Sequence, residues 1–86
     1  MYYVYLLRSK VSGKVYTGFT ADLRRRLSQH LSGQVHTTSR MGEIELIYYE
    51  AFMSKIDAVR REKYLKTTMG KRMVKLALRD TLGPVV

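Results

Sequence analysis

The chain has 86 residues, and its 16 Lys and Arg against 7 Asp and Glu give a formal net charge of +9. This length allows a single domain, taken as residues 1–86, and a hydrophobic content of 45% excludes a disordered chain. The absence of cysteine excludes disulfides and thiolate metal sites, and no apolar run is long enough to cross a membrane. The excess of positive charge predicts binding to a polyanion, above all to nucleic acid.

The first element is a strand, predicted over the aromatic and aliphatic residues 2–8. No positive residue precedes this run and no small-residue cleavage site follows it, so we do not interpret it as a signal peptide. We therefore expect a cytoplasmic protein. A turn at Ser12-Gly13 then leads into a returning strand over residues 14–19.

The turn determines which side chains of this hairpin share a face. A two-residue turn pairs Ser9 with Tyr16 and Leu7 with Gly18, and opposed residues project to the same side of the sheet. Tyr5, Tyr16 and Gly18 are therefore expected on one face. The missing side chain of Gly18 would let a backbone or a phosphate approach. The alternative is that both tyrosines simply pack, as most strand tyrosines do.

A basic helix is predicted over residues 21–32, with Thr20 as its cap. Its three leucines form an apolar stripe, and Arg26 and His30 lie one turn apart on one shoulder of that stripe. A guanidinium there can hold a phosphate, and a histidine beside it can move a proton. Arg24 lies on the opposite shoulder. The alternatives are a solvated basic face for the arginines and a packing role for His30.

The remaining elements complete an α+β domain. After a polar loop come a third strand, a helix capped by Ser54 and, beyond a break at Gly70, a last short helix, over residues 43–52, 55–67 and 71–79. The order β-β-α-β-α-α predicts a small three-stranded antiparallel sheet flanked by helices.

One carboxylate in the helix over residues 55–67 falls within its apolar arc, and this residue is Glu62. A buried carboxylate is costly unless it is paired or bound to a metal. One interpretation is a structural ion pair, for instance with Arg26. The other is a single ligand for Mg²⁺ or Mn²⁺, completed by water and by substrate phosphate.

Two tyrosine triplets and two helical motifs follow one another along the chain. They are Tyr3-Val4-Tyr5, Tyr16-Thr17-Gly18, the helix from Asp22 to His30, and Arg60-Arg61-Glu62 with Tyr64-Leu65-Lys66. In this order they resemble the GIY-YIG (URI-domain) nuclease superfamily, closest to its small single-domain members, over nearly the whole chain. Each triplet alone is a weak signal, but their order within the predicted elements is specific.

The resemblance implies hydrolysis of a phosphodiester bond with one divalent ion, Mg²⁺ or Mn²⁺. Glu62 would hold the ion, and Arg26 would bind the scissile phosphate. Tyr5 or Tyr16 would orient or deprotonate the attacking water, with nearby positive charge lowering the pKa of the tyrosine. His30 would assist the proton movement or hydrogen-bond the tyrosine.

Lys14, Gly18 and Arg24 are the residues expected to contact substrate. The resemblance implies a metal-dependent endonuclease that acts on DNA in preference to RNA, with a role in DNA repair or processing. We expect low sequence specificity, because no helix offers Asn or Gln at base-reading positions. We also expect a monomer.

The chain departs from the family pattern at two positions. Tyr3 stands where the first triplet has glycine, and the chain contains no asparagine, whereas larger members use a late asparagine in the site. Two alternatives therefore stay open. One is a catalytically weak or silent nucleic-acid-binding module, and the other is a protein-interaction domain, which a sizeable exposed apolar patch would favour.

Overall fold

The computed structural model describes residues 1–83, which form three strands and five helices. In chain order these are β1 Tyr2–Ser9, β2 Val15–Thr20, α1 Leu23–Leu31, α2 His36–Ser39, β3 Ile44–Phe52, α3 Lys55–Leu65, α4 Thr68–Ala77 and α5 Arg79–Leu82. The strands form one antiparallel sheet in the order β2-β1-β3. The predicted α+β architecture is confirmed. Among the helices of residues 1–83, none has the length and apolar character needed to cross a membrane.

The sheet is covered by helices on both faces. The side chains of residues 4–7 in the central strand β1 are at most 1% exposed, because alternate residues bury into two separate clusters. Those that point to one face pack with Ala58 and Leu65 of α3. Those that point to the other face pack with Leu23 and Leu27 of α1.

The register of the β1–β2 hairpin differs from the predicted one by two residues. Gly18 lies opposite Tyr5 and Tyr16 lies opposite Leu7, whereas the two-residue turn paired them with Leu7 and Ser9. Because side chains alternate between faces with a period of two, this shift leaves each side chain on its predicted face. Tyr5 and Tyr16 therefore share a face as diagonal neighbours.

A longer turn causes this shift. The Ser9 N–H donates to the Lys14 carbonyl over 2.9 Å, and the Gly13 N–H donates to the Ser9 carbonyl over 2.9 Å. The Ser9 hydroxyl also accepts hydrogen bonds from two backbone N–H groups of the turn. Gly13 has a φ of +76°, which glycine adopts without strain. The turn thus uses residues 10–13, four residues instead of two.

The buried face of α1 also differs from the predicted stripe. Leu23 and Leu27 pack against the sheet as expected, but Leu31 is 62% exposed and His30 is only 2% exposed. The buried positions therefore follow the spacing i, i+4, i+7, which ends on the histidine rather than on the third leucine. This rotation carries the shoulder of α1 that holds Arg26 towards the sheet.

The start of α1 and the loop that follows this helix both differ from the prediction. Asp22 caps α1, because its Oδ1 accepts from the Arg25 N–H over 3.1 Å. Thr20, the predicted cap, does not cap α1 directly; its hydroxyl accepts from the N–H of the capping residue Asp22 over 3.1 Å. The loop predicted over residues 33–42 contains the short helix α2.

Gly70 does not break a helix, contrary to the prediction. It lies in the first turn of α4, and its N–H donates to the Thr67 hydroxyl that caps this helix, over 3.1 Å. A Cβ on Gly70 would lie 2.7 Å from the Cα of Leu65. Glycine is therefore required here by the close approach of α4 to the end of α3.

A polar network that the sequence did not indicate joins β3 to α3. Arg61 donates to both carboxylate oxygens of Glu50, over 2.9 and 3.0 Å, and the Tyr48 hydroxyl donates to the same carboxylate. Burial raises the pKa of Glu50, but the hydrogen bonds from Arg61 and Tyr48 outweigh it and hold that pKa below its ordinary value. The ion pair is therefore formed at neutral pH.

Replacing Glu50 with glutamine is expected to lower the free energy of unfolding by about 2 kcal/mol, because Arg61 would lose its bidentate charged partner. Urea titration at neutral pH measures the change. Glu43→Gln is the matched control, since the Glu43 side chain is 73% exposed and pairs with Lys10 over 3.3 Å. The control should cost less than about 0.5 kcal/mol. Equal losses of unfolding free energy in the two variants would show that the partly buried network stabilises the fold no more than an exposed ion pair does.

Candidate active site

The side chains of Tyr5, Tyr16 and His30 meet between the sheet and α1. The Tyr5 hydroxyl lies 2.8 Å from Nε2 of His30, and the two rings are 5.5 Å apart. The Tyr16 ring centroid lies 5.3 Å from that of His30 and 6.4 Å from that of Tyr5. Three residues that the sequence placed on separate elements thus form one cluster.

Gly18 is buried and makes room for Tyr5. A Cβ on Gly18 would lie 2.8 Å from Cε2 of the Tyr5 ring and closer still to its hydroxyl end. The gap on this face, which we expected to admit a phosphate, is therefore filled by the tyrosine ring. Gly18 allows Tyr5 to lie across β2 and reach α1.

Thr38 fixes the other side of the His30 ring. Its hydroxyl lies 2.7 Å from Nδ1 of His30 and donates to the Val35 carbonyl over 3.4 Å. A hydroxyl whose proton points to a carbonyl accepts from Nδ1–H, which leaves Nε2 of the neutral ring to accept the Tyr5 proton. The sequence did not indicate Thr38, because it lies in α2, within a polar stretch that shows no helical or strand period.

Charges near this cluster set which groups carry protons. Burial, with the positive charge of Arg26, lowers the pKa of His30, so the ring is neutral at neutral pH. Burial also raises the pKa of Tyr5; the hydrogen bond and charge of Arg26 oppose this, and the proximity of Tyr16 and Glu62 adds to it. Arg26 thus lowers the Tyr5 pKa as expected, but burial outweighs this effect and the pKa is raised overall. The Tyr5 hydroxyl stays protonated.

Arg26 lies beside both tyrosines. The proximity of the Tyr5 hydroxyl raises the pKa of the guanidinium, so Arg26 stays positively charged. One of its nitrogens, Nη1, donates to the Gln29 side-chain oxygen over 3.1 Å. The side chain is partly buried, whereas its neighbours Arg24 and Arg25 are exposed. Arg26 is thus the one arginine of α1 whose charge acts on the cluster.

Glu62 pairs with Lys66 rather than with Arg26. The Lys66 ammonium lies 3.3 Å from the carboxylate, and the two side chains are 55% and 20% exposed. An exposed lysine can turn away into solvent, which leaves a single accessible carboxylate. Within residues 1–83 no three His, Cys, Asp or Glu side chains group as a metal site. The residues present therefore fit Mg²⁺ or Mn²⁺ retaining most of its water, and do not fit a metal that needs a full protein shell.

Two further predicted site residues, Lys14 and Arg24, line different surface clefts. Lys14 lines a surface cleft together with Tyr16, next to the cluster. Arg24 lines a separate cleft with Tyr3 and Tyr49, which does not include the Tyr5, Tyr16 and His30 side chains. The structure thus brings Lys14, but not Arg24, to the predicted site.

The chain is similar to several known proteins and to a solved structure. The chain is 33% identical over 76 residues to a UPF0213 protein of Staphylococcus saprophyticus, covering 87% of this chain and 92% of that protein. It is 41% identical over 66 residues to a UPF0213 protein of Streptococcus agalactiae, covering 74% and 73%. The solution NMR structure of a UPF0213 protein from Bacillus halodurans matches with a TM-score of 0.56 and 36% identity, covering 90% of this chain and 85% of that one.

The family model of the GIY-YIG catalytic domain matches residues 1–75. That range contains both tyrosine triplets, α1 with Arg26 and His30, and α3 with Glu62. The solved structure matches 90% of this chain at 36% identity, so the likeness is one of sequence as well as of fold. The chain therefore belongs to the GIY-YIG family of nuclease domains.

Proposed function

We propose that this protein is a divalent-metal-dependent endonuclease that hydrolyses DNA phosphodiester bonds with low sequence specificity. The observation that carries the proposal is the hydrogen-bonded row of Tyr5, His30 and Thr38 beside the charged Arg26. Such a row, with a proton acceptor buried in its neutral form, is suited to taking a proton from an attacking water.

The proton leaves the water along this row. It passes to the Tyr5 oxygen while the Tyr5 hydroxyl proton moves to Nε2 of His30, so no free tyrosinate has to form. Thr38 keeps the His30 proton on Nδ1 and the acceptor on Nε2. Tyr5 is 1% exposed, whereas Tyr16 is only partly buried. The water would therefore lie at the edge of the cluster beside Tyr16, which orients it.

Arg26 and Glu62 act on the phosphate. The Arg26 guanidinium would bind the scissile phosphate and stabilise the negative charge that develops on it. Glu62 would hold a Mg²⁺ or Mn²⁺ ion once Lys66 has turned away. When bound, the ion supplies positive charge that stabilises the phosphate oxygens and the 3′-oxygen leaving group.

The charge and composition of the chain support the proposed substrate and its low sequence specificity. A formal net charge of +9 supports DNA as the partner, since phosphate contacts dominate nucleic-acid affinity. The chain contains no asparagine, and Gln29 in α1 is engaged by Arg26 over 3.1 Å, which supports low specificity and a processing or repair role. We further propose that the chain works as a monomer in the cytoplasm and that residues 1–86 form one catalytic domain.

The direct test is cleavage of single-stranded and duplex DNA with Mg²⁺, with Mn²⁺ and with EDTA. We expect cleavage only with metal, and a rate about 10²-fold lower for Tyr5→Phe. Tyr2→Phe is the control, because Tyr2 stacks on Phe19 at 6.3 Å on the opposite face of the same strand. No cleavage by the wild-type protein at high concentration would overturn the proposal.

A second candidate function is a nucleic-acid-binding module without catalysis. The absence of asparagine and the Glu62–Lys66 ion pair favour it. This candidate predicts salt-dependent binding that Glu62→Ala leaves intact, with no cleavage by any variant.

Replacing Thr38 with valine is expected to lower the cleavage rate about tenfold, because it removes the hydrogen bond that holds the His30 ring. Valine has nearly the same shape, so the packing is kept. Nitrogen NMR of the imidazole should show loss of the Nδ1–H preference in Thr38→Val. Thr38→Ser keeps a hydroxyl and should retain both the rate and the spectrum. An unchanged imidazole spectrum in Thr38→Val would rule out the positioning role.

A further inference from the structure

A cleft of about 570 Å³ lies beside Tyr16, between the β1–β2 turn and the segment that leads from α2 to β3. Its lining includes Val11, Lys14, Tyr16, Arg40 and Met41. Because Tyr16 belongs both to this cleft and to the tyrosine–histidine cluster, the cleft continues the candidate active site along the edge strand β2. Its size is in the range of small-molecule and nucleotide sites.

Two positively charged side chains line the cleft. Lys14 and Arg40 are exposed and, within residues 1–83, form no ion pair, and no acidic residue lines the cleft. Lys10, on the same turn, differs, because it lies 3.3 Å from Glu43 and 3.8 Å from Glu45. The cleft is therefore positively charged, whereas the charge of Lys10 is compensated by Glu43 and Glu45.

Apolar surface lies between these charges. Val11 is 80% exposed and Val15 is 41% exposed, and Met41 adds a partly buried thioether. Removing such apolar surface from water is favourable, and a sugar or an unpaired base can cover it. A paired base cannot, because its faces are already stacked within the duplex.

The position of Lys14 relates the two sites. Lys14 lies just before β2 and two residues from Tyr16, a separation of about 7 Å along an extended chain, and both side chains line the cleft. This is on the scale of one nucleotide step in an extended strand. A strand whose scissile phosphate lies at Arg26 and Tyr16 would bring its neighbouring phosphate to Lys14.

We propose that this cleft is a subsite for single-stranded nucleic acid, in which Lys14 and Arg40 bind the phosphate next to the scissile one. The sugar or base of that nucleotide covers Val11 and Met41. The proposal rests on the proposed nuclease function, because it extends the same site, and it names the substrate class as an unpaired strand or flap. Arg40 is the residue that it adds to the substrate contacts.

The test is binding of an oligothymidylate, in EDTA so that no cleavage occurs, measured by fluorescence anisotropy over a range of salt. Arg40→Ala and Lys14→Ala are each expected to weaken binding about fivefold to tenfold and to reduce the salt slope by about 0.7. Lys10→Ala, whose charge is already paired, should stay within about twofold. Because Lys14 also lines a cleft on the opposite face with Lys71, Lys71→Ala is a second control that should bind like the wild type.

The outcomes separate the subsite from the proposed function. Unchanged affinity and slope in Arg40→Ala, with weaker binding by Arg26→Ala, would overturn the subsite and leave the nuclease site standing. Equal losses on duplex and single-stranded DNA would overturn the assignment to an unpaired strand. No binding by the wild-type protein at low salt would overturn both proposals.

Discussion

Replacing Glu62 with glutamine is expected to lower the rate of metal-dependent DNA cleavage by about 10³-fold, which corresponds to about 4 kcal/mol. Glutamine keeps the shape of the side chain but removes the charge that would hold Mg²⁺. Single-turnover cleavage at saturating Mg²⁺ measures the loss, and anisotropy in EDTA should show that DNA affinity is unchanged or slightly higher, since an acidic charge has been removed.

The control for Glu62 lies on the same helix. Asp57 is 58% exposed in its side chain and, among residues 1–83, pairs only with Arg60, over 3.6 Å. Asp57→Asn should therefore cleave within about twofold of the wild type. A Glu62→Gln variant with full activity, or equal losses in both variants, would contradict the role of Glu62 as the metal ligand.

Replacing Arg26 with glutamine is expected to lower the cleavage rate by about 10²- to 10³-fold, because the guanidinium is the positive charge aimed at the scissile phosphate. The pH dependence should change as well. In the wild type the positive charge of Arg26 contributes to the lowered pKa of His30. Without it, that pKa moves up towards its ordinary value of about 6.5, so His30 is protonated at higher pH.

The acid limb of the pH–rate profile reports this shift. Neutral His30 accepts the proton, so the rate falls as pH falls through the His30 pKa. The limb should therefore lie at higher pH in Arg26→Gln than in the wild type. Arg25→Gln, one residue away and exposed, should change neither rate nor profile. An acid limb that stays in place in Arg26→Gln would contradict the coupling between Arg26 and His30.

The sequence predicted the faces of the sheet better than its register. Tyr5 and Tyr16 were expected on one side, and they are, although the turn has four residues instead of two. The alternation of side chains survives a shift of two residues, whereas the pairing does not. The Ser9 hydroxyl supports the longer turn by accepting from two backbone N–H groups, and a turn motif does not encode such a side-chain contact.

The helical period predicted the side of α1 but not its exact rotation. Arg26 and His30 were expected on one shoulder, and the charge of Arg26 does act on His30. The period alone did not reveal that His30 is buried and Leu31 exposed, because the packing partner of the helix sets that choice. The His30 ring can occupy the buried position expected for a leucine because Tyr5 and Thr38 hydrogen-bond both of its ring nitrogens.

The sequence pattern did not predict the role of Thr38 or the ion-pair partner of Glu62. Thr38 lies in a one-turn helix inside a polar stretch, and its role depends on tertiary contact with His30. Glu62 was expected either to bind metal or to pair with a distant arginine. The structure pairs it with Lys66, one turn along its own helix, where an exposed lysine reaches back over a partly buried carboxylate. Its role in metal binding stays a prediction.

The proposed function requires Tyr5, Arg26, His30 and Glu62 to act together in hydrolysing DNA. Single-turnover cleavage of an end-labelled single-stranded oligonucleotide, with protein in excess and Mg²⁺ varied, tests it most directly. We expect products with a 3′-hydroxyl and a 5′-phosphate, formed at a rate that saturates with Mg²⁺ and is lost in Glu62→Gln. Intact oligonucleotide at every Mg²⁺ concentration, or cleavage that persists in Glu62→Gln, would contradict this expectation.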